Sequence, residues 1–327
     1  MDLSITTQTF QTINKGYNRV FKPGKLSIGL VAPIENYANG PVPELQQHIE
    51  RIQLAEQLGF AAVWLRDVPF NVPSFGDAGQ LFDPFVYLGM LSAMTNEIAL
   101  GASSIVLPLR HPAHVAKAAA SADALSNGRL ILGVASGDRP DEYPALNQCF
   151  ETRSADFRAS YDYIRSMSRS SPALSNHYGN LAGDIDMLPK PTAGKLPLLI
   201  TGASQQSSGW IAQHGDGWML YPRENQLQAQ IINKWRAEVA AAGRPAQPVM
   251  QPLYIDLVED PQATPQPIHL GYRLGVGQLH AHLKNLQSIG VNHVALNLRF
   301  NNADIKTTLH CLADEILPDF SHYSGTI

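Results

Sequence analysis

Hydrophobic residues along this chain follow two alternating rhythms. Short apolar runs occupy positions 26–32, 61–65, 98–107, 129–135, 196–201, 217–221, 249–258 and 291–298. Continuous apolar character over so few residues marks a strand buried on both faces. Between the runs lie longer stretches whose apolar positions recur every three or four residues, the spacing of a helix with one buried stripe. They cover 43–58 (Leu45, Ile49, Ile52, Ala55, Leu58), 84–94, 112–126, 152–168 (Phe157, Tyr161, Ile164, Met167), 205–214, 224–241, 277–289 and 303–317.

Residues 97–138 show the repeating unit most plainly. Pro112 sits where a helix starts without losing a needed N–H. Ala113, Val115, Ala116, Ala119, Ala120 and Ala122 give a small-residue helix that packs closely on a sheet. Asn127-Gly128 ends it, since glycine accepts the left-handed cap conformation. Two apolar strands joined by one helix form a parallel βαβ unit. Eight such strand–helix pairs in strict alternation predict a (β/α)₈ barrel of the α/β class rather than a doubly wound sheet. No GxGxxG opens a helix after the first strand, which argues further against a dinucleotide-binding sheet. The pattern loosens over 138–191, read as an insertion after strand 4 that holds one helix and is otherwise irregular. Residues 259–273, with Pro261, Pro265 and Pro267, form a stiff loop after strand 7. Residues 26–320 are assigned to the barrel, 1–25 to an N-terminal extension that packs on the barrel or a partner subunit, and 321–327 to a C-terminal tail.

The chain has 327 residues, 44% of them hydrophobic and 16% charged, with a formal net charge of -4. A mildly acidic balance gives no broad basic surface for nucleic acid. No run is long or apolar enough to span a membrane, and no lysine-flanked apolar segment marks a signal peptide. Cys149 and Cys311 lie far apart without metal-ligand spacing, and the histidines form no HxxxH or HxH pair beside a carboxylate. Two reduced thiols in a cytoplasmic protein, and no metal site, are expected.

In a (β/α)₈ barrel the site lies beyond the C-terminal ends of the strands. After strand 5 come Gly202, Ala203, Ser204, Gln205, Gln206, Ser207 and Ser208. Small residues end a strand there, and hydroxyl and amide side chains open a helix, an arrangement that attracts a phosphate or serves as an ordinary helix cap. Strand 2 ends in Arg66 and Asp67, an anion binder and a proton acceptor, or an ion pair that orders the following loop. His111, beside Arg110 after strand 3, titrates near neutrality or caps the next helix. Asp138 and Arg139, after Gly137, face the site or form a solvated loop pair, and later His269 and Arg273 read as solvated loop residues. Small residues within strand 3 (Ala102, Ser103, Ser104) and after strand 4 (Ser136, Gly137) let a flat ligand approach the backbone.

The run Asp123-x-Leu125-Ser126-x-Gly128-Arg129-x-x-Leu132-Gly133-x-x-x-Gly137, with Arg110-His111-Pro112 before it, resembles the signature of the bacterial luciferase-like flavin monooxygenases. The turn from Ile211 to Trp218 is also similar to that family. The resemblance implies FMN as cofactor, reduced by a separate flavin reductase, with oxygen and a small organic substrate. It implies a homodimer of luciferase-like barrels paired through helices beside the early strands, with 43–58 and 84–94 as candidates. It implies that the flavin phosphate lies near residues 202–207, that a non-proline cis peptide in strand 3 supports the ring, and that a mobile lid follows strand 7. Many members place a histidine-rich motif at the end of strand 2, and this chain has Arg66-Asp67 instead. An F420-dependent hydride-transfer enzyme and a non-enzymatic flavin-binding protein are the alternatives.

Overall fold

The structure is a computed structural model that describes residues 9–320. Eight parallel strands close on themselves: β1 (Ser27–Val31), β2 (Ala62–Leu65), β3 (Ala99–Val106), β4 (Leu130–Ala135), β5 (Leu198–Thr201), β6 (Trp218–Met219), β7 (Val249–Val258) and β8 (His293–Asn297). Each pairs with its neighbours in chain order, and β8 returns to β1 with Ser27 opposite His293. The helices between them are α1 (His48–Gln57), α2 (Pro84–Met94), α3 (Pro112–Leu125), α4 (Arg153–Ser166), α5 (Ser208–His214), α6 (Asn225–Ala241), α7 (Val276–Ser288) and α8 (Ile305–Glu315). The (β/α)₈ barrel expected from the alternation is the fold.

Alternate strand residues build two cores, as the two-residue period of a strand requires. Leu30, Val63, Leu100, Leu132 and Leu253 face outward and pack against helix residues such as Leu91, Ala119, Phe157 and Trp235. Ala62, Trp64, Ile131, Leu199 and Met250 fill the interior. Below them the short helix Lys15–Val20 closes the barrel floor with Tyr17 and Val20. Trp64 fits inside because Gly101 faces it, where a Cβ would lie 2.2 Å from the indole. The Ser27 hydroxyl donates to Val20 O at 2.7 Å. His293 Nδ1 therefore donates to Ser27 Oγ at 2.7 Å, and Nε2 accepts the Trp64 indole N–H at 2.8 Å. Complete burial pushes this imidazole down to about 3, so it is a neutral strut.

Four expectations are corrected. The helix expected over 43–58 starts only at His48. Leu45 and Gln47 adopt left-handed backbone, and the Glu35 carboxylate takes the N–H groups of Glu44 and Leu45 at 2.7 and 3.3 Å. The helix expected from Gln205 starts at Ser208, because Ser204 and Gln205 are also left-handed. The insertion is not wholly irregular outside its helix: Ala173–Asn176 pairs antiparallel with Gly179–Ala182. After β7, Gln266–Ile268 and Gly271–Gly275 form a second hairpin, whose later strand runs parallel to the upper half of β7 with Gly271 opposite Tyr254. Residues 1–8 and 321–327, and with them the expected tail, lie outside the described residues.

Candidate active site

A cavity of about 760 Å³ opens at the C-terminal ends of the strands, within the range of small-molecule and cofactor pockets. One wall is made of short side chains. The ladder between β3 and β4 shifts register between Ala102 and Ile105, and the Ser103-Ser104 peptide bond there is cis. Ser103 and Ser104 line the cavity, whereas Ala102 turns outward into the helix-facing core. The Ser104 hydroxyl donates to Thr201 Oγ1 at 2.6 Å and ties β3 to β5. Ser136 and Gly137 continue the wall above β4.

The wall ends in residues 202–205. Gly202, Ser204 and Gln205 all have positive φ, at 54°, 45° and 59°. The Ser204 hydroxyl donates to Thr201 O at 2.7 Å and holds this turn. The N–H groups of Ala203, Ser204 and Gln205 donate to no protein acceptor among the described residues. Successive unpaired amides in such a turn make a concavity for an anion. The rest of the expected cluster turns away. Gln206 is buried, with Oε1 on Arg158 Nε and Nε2 on Ser154 O at 3.1 Å. Ser207 caps α5 through Trp210 N at 3.2 Å.

The three residues singled out for chemistry separate. Arg66 and Asp67 line the cavity but do not pair with each other. Arg66 Nη1 binds Asp77 Oδ2. Asp67 is gripped by Arg110, Nη2 to Oδ1 at 2.7 Å and Nε to Oδ2 at 3.0 Å, and also accepts the Val106 N–H at 3.1 Å. Its side chain is 1% exposed. His111 stands outside the cavity: Nδ1 accepts the Ala113 N–H at 3.3 Å, and Nε2 reaches Tyr178 O at 3.1 Å on the insertion hairpin.

Opposite the short-residue wall lie residues that the sequence reading passed over, together with His269 and with Arg139, which is buried rather than solvated. Asp77, from the loop after β2, also takes Arg299 Nη1 at 3.2 Å. Its carboxyl is held below the usual range, against the cost of its burial, by Arg66, the Gly79 N–H and Arg299. Arg139 donates to Asp77 O at 3.2 Å and lies 4.1 Å from the Phe75 ring, pinning the same loop over the cavity. Behind it, burial pushes the Glu142 carboxyl up to about 7. Tyr254 and Asn297 face each other across the β7–β8 ladder and line the cavity, as do Met219, Met250 and Ala295. His269 reaches the rim from the second hairpin. Asn297 ends the eighth strand and Arg299 follows two residues later, and that position alone could have drawn attention to them.

A closed parallel barrel with a roomy cavity at its strand ends is the architecture of a small-molecule enzyme. The family model for luciferase-like monooxygenases matches residues 26–285. The chain belongs to that family. Over 188 residues it is 31% identical to the oxygenase component of a flavin-dependent trigonelline monooxygenase from Acinetobacter baylyi, covering 56% of this chain and 47% of that protein. Over 228 residues it is 27% identical to an F420-dependent hydroxymycolic acid dehydrogenase of Mycobacterium tuberculosis, covering 68% and 60%. The crystal structure of monooxygenase RslO1 from Streptomyces bottropensis superposes with a TM-score of 0.73 over 89% of this chain and 99% of that one, at 20% identity. The family is thus one of oxidoreductases whose members use flavin or F420.

Proposed function

We propose that this protein is an FMN-dependent monooxygenase that takes reduced flavin from a separate reductase in the cytoplasm and oxidises a small organic substrate with oxygen. The observation that carries the reading is the turn at residues 202–205, whose three unpaired amides border a wall of small side chains. FMN, when bound, would supply the reaction of reduced flavin with oxygen. The chain's own part is to hold the phosphate on the amides of Ala203, Ser204 and Gln205, to offer Ser103, Ser104, Ser136 and Gly137 as the close wall, and to keep water out. Exclusion falls to the loop that Arg139 and Arg299 pin down and to the hairpin that carries His269. Asp67, saturated by Arg110 and the Val106 amide, orders the wall and accepts no proton from substrate.

A second reading is F420-dependent hydride transfer, favoured by the similarity to the hydroxymycolic acid dehydrogenase over 68% of the chain. Titration of the purified protein with reduced FMN and with reduced F420 separates the two. Oxygen-dependent oxidation with product formation supports the monooxygenase, and exchange of hydride only with F420 replaces it. The phosphate assignment has its own check in Gln205→Glu, which adds one negative charge at the exposed end of the turn. FMN affinity should fall about tenfold, close to 1.4 kcal/mol, while riboflavin, lacking the phosphate, should change less than twofold. Equal losses for both would move the phosphate elsewhere.

A further inference from the structure

The wall opposite residues 202–205 presents donors and no matching acceptors. Asn297 is 3% exposed, and its Oδ1 accepts the Arg299 N–H at 3.0 Å, which fixes the amide with Nδ2 as its open end. Tyr254 is 7% exposed, and its ring is held between Phe300 and His269, with centroids 5.4 and 5.5 Å away. Neither Asn297 Nδ2 nor the Tyr254 hydroxyl has a partner among the described residues, and both side chains line the cavity. The two are register partners on β8 and β7. Arg66 adds its guanidinium from the end of β2, with one nitrogen on Asp77. Asp77 is shared with Arg299, so two guanidinium groups meet one carboxylate. Asp67 is already matched by Arg110, which also takes Asp83 Oδ2 at 2.8 Å, and Asp138 lines the cavity from beyond Gly137, exposed. The Asn297 amide N–H and the Tyr254 hydroxyl open on the cavity, where each is free to donate to a bound acceptor, and Arg66 brings positive charge beside them. A bound oxyanion engages all three at once.

We infer that the substrate carries a carboxylate, received by Arg66, Tyr254 and Asn297. The inference rests on the oxidoreductase reading above and narrows its substrate to a small carboxylate with an apolar body. The apolar part lies against Met219, Met250 and Ala295 at the barrel mouth. Charge-assisted bonds from a guanidinium to a carboxylate are about twice as strong as neutral ones. Tyr254 stays a neutral donor, because burial raises its pKa. The carbonyl oxygens of a flavin ring are acceptors too, and the test separates them from a substrate anion.

FMN affinity is measured first, by fluorescence titration. Benzoate and hexanoate are then titrated by calorimetry beside benzamide and hexanamide, with and without saturating FMN, into the wild-type protein, Tyr254→Phe and Arg66→Gln. Tyr254→Phe removes one oxygen and keeps the ring contacts, so this arm stands even where Arg66→Gln fails to fold. At least one carboxylate should bind at least tenfold tighter than its amide. That preference should shrink about fivefold in Tyr254→Phe and vanish in Arg66→Gln, with FMN affinity within twofold in Tyr254→Phe. Equal binding of acids and amides by the wild type overturns the inference. So does a preference that survives in Tyr254→Phe undiminished, or a loss of FMN affinity there as large as the loss for the acid, which would assign the donors to the cofactor ring. Failure of FMN to bind the wild-type protein strikes the cofactor reading alone, since the acid–amide comparison is also made without it.

Discussion

Asp67 shows how far side-chain pairing can depart from chain adjacency. Its neighbour Arg66 turns to Asp77, while Asp67 takes Nε and Nη2 of Arg110, forty-three positions on. A carboxylate so occupied is a fastener. Asp67→Asn should cost roughly 2–3 kcal/mol of stability through the broken pair, with turnover per folded molecule within about threefold of wild type. Denaturant unfolding and steady-state kinetics on the same samples check this, and a hundredfold loss of turnover at unchanged stability would restore Asp67 as a base. His293 makes a pH-dependent counterpart. Its folded pKa, about 3, lies below the unfolded value of about 6.5. As pH falls below about 6.5 the unfolded chain takes up a proton that the folded one refuses. Stability from this group is therefore present above that pH and is lost at about 1.4 kcal/mol per unit down to about pH 3. His293→Gln should flatten the decline between pH 7.5 and 5 by about 2 kcal/mol, read from urea midpoints. The signature residues were legible as a pattern but not as a role. Asp123 binds Asn14 Nδ2 at 2.8 Å and Thr192 Oγ1 at 2.7 Å, and Arg129 donates to Ile98 O and Thr95 O at 2.9 Å each. They lace the barrel floor, far from the cavity. Such partners are chosen by three-dimensional neighbourhood, which a one-dimensional pattern does not carry.

At the scale of elements, the order of strands and helices followed from hydrophobic period, because a strand buried on both faces and a helix buried on one leave different traces. Helix starts were harder to read. Left-handed residues at 45, 47, 204 and 205 are not glycines, so no composition cue marked the breaks. The hairpin after β7 lacked the signal that usually reveals a strand. Gln266–Ile268 contains Pro267 and is mostly exposed, and Gly271–Gly275 begins and ends in glycine. Glycine is needed there because Gly271 lies against Tyr254, and a Cβ would come within 1.8 Å of Tyr254 O. Gly271→Ala should push the hairpin off β7 and carry His269 and Leu270 away from the cavity rim. We expect faster tryptic cleavage at Arg273, a melting temperature lower by a few degrees and at least a tenfold loss of turnover. FMN affinity should change less than threefold, because residues 202–205 lie on the opposite wall. An equal loss of flavin affinity would show that the hairpin holds the cofactor itself.

At the scale of the whole molecule, α2 has more apolar surface than one barrel can cover. Its inner face buries Tyr87, Leu88 and Leu91. Its outer face carries Val86, Met90 and Met94 at helical spacing, 72%, 39% and 42% exposed. A helix apolar on both sides is at home only when buried on both. Leu81 and Phe82, 45% and 43% exposed just before it, extend the patch. α1, the other candidate, buries Ile52 and Ala55 and puts Glu50 and Gln57 outward, so of the two it is α2 that carries the exposed apolar face. Contiguous apolar surface of this kind marks an association site, and a two-fold axis beside α2 would set the patch on its own copy, the commonest closed arrangement of like chains. We expect a homodimer by light scattering at micromolar concentration. Met90→Glu places a charge at the centre of that face and should yield monomers. Because the outer face stands exposed among the described residues, the monomer should keep its thermal unfolding midpoint once concentration dependence is removed. A wild-type protein that scatters as a monomer, or a Met90→Glu variant that remains a dimer, would place the contact elsewhere or nowhere, and α2 would then need another cover for its outer face.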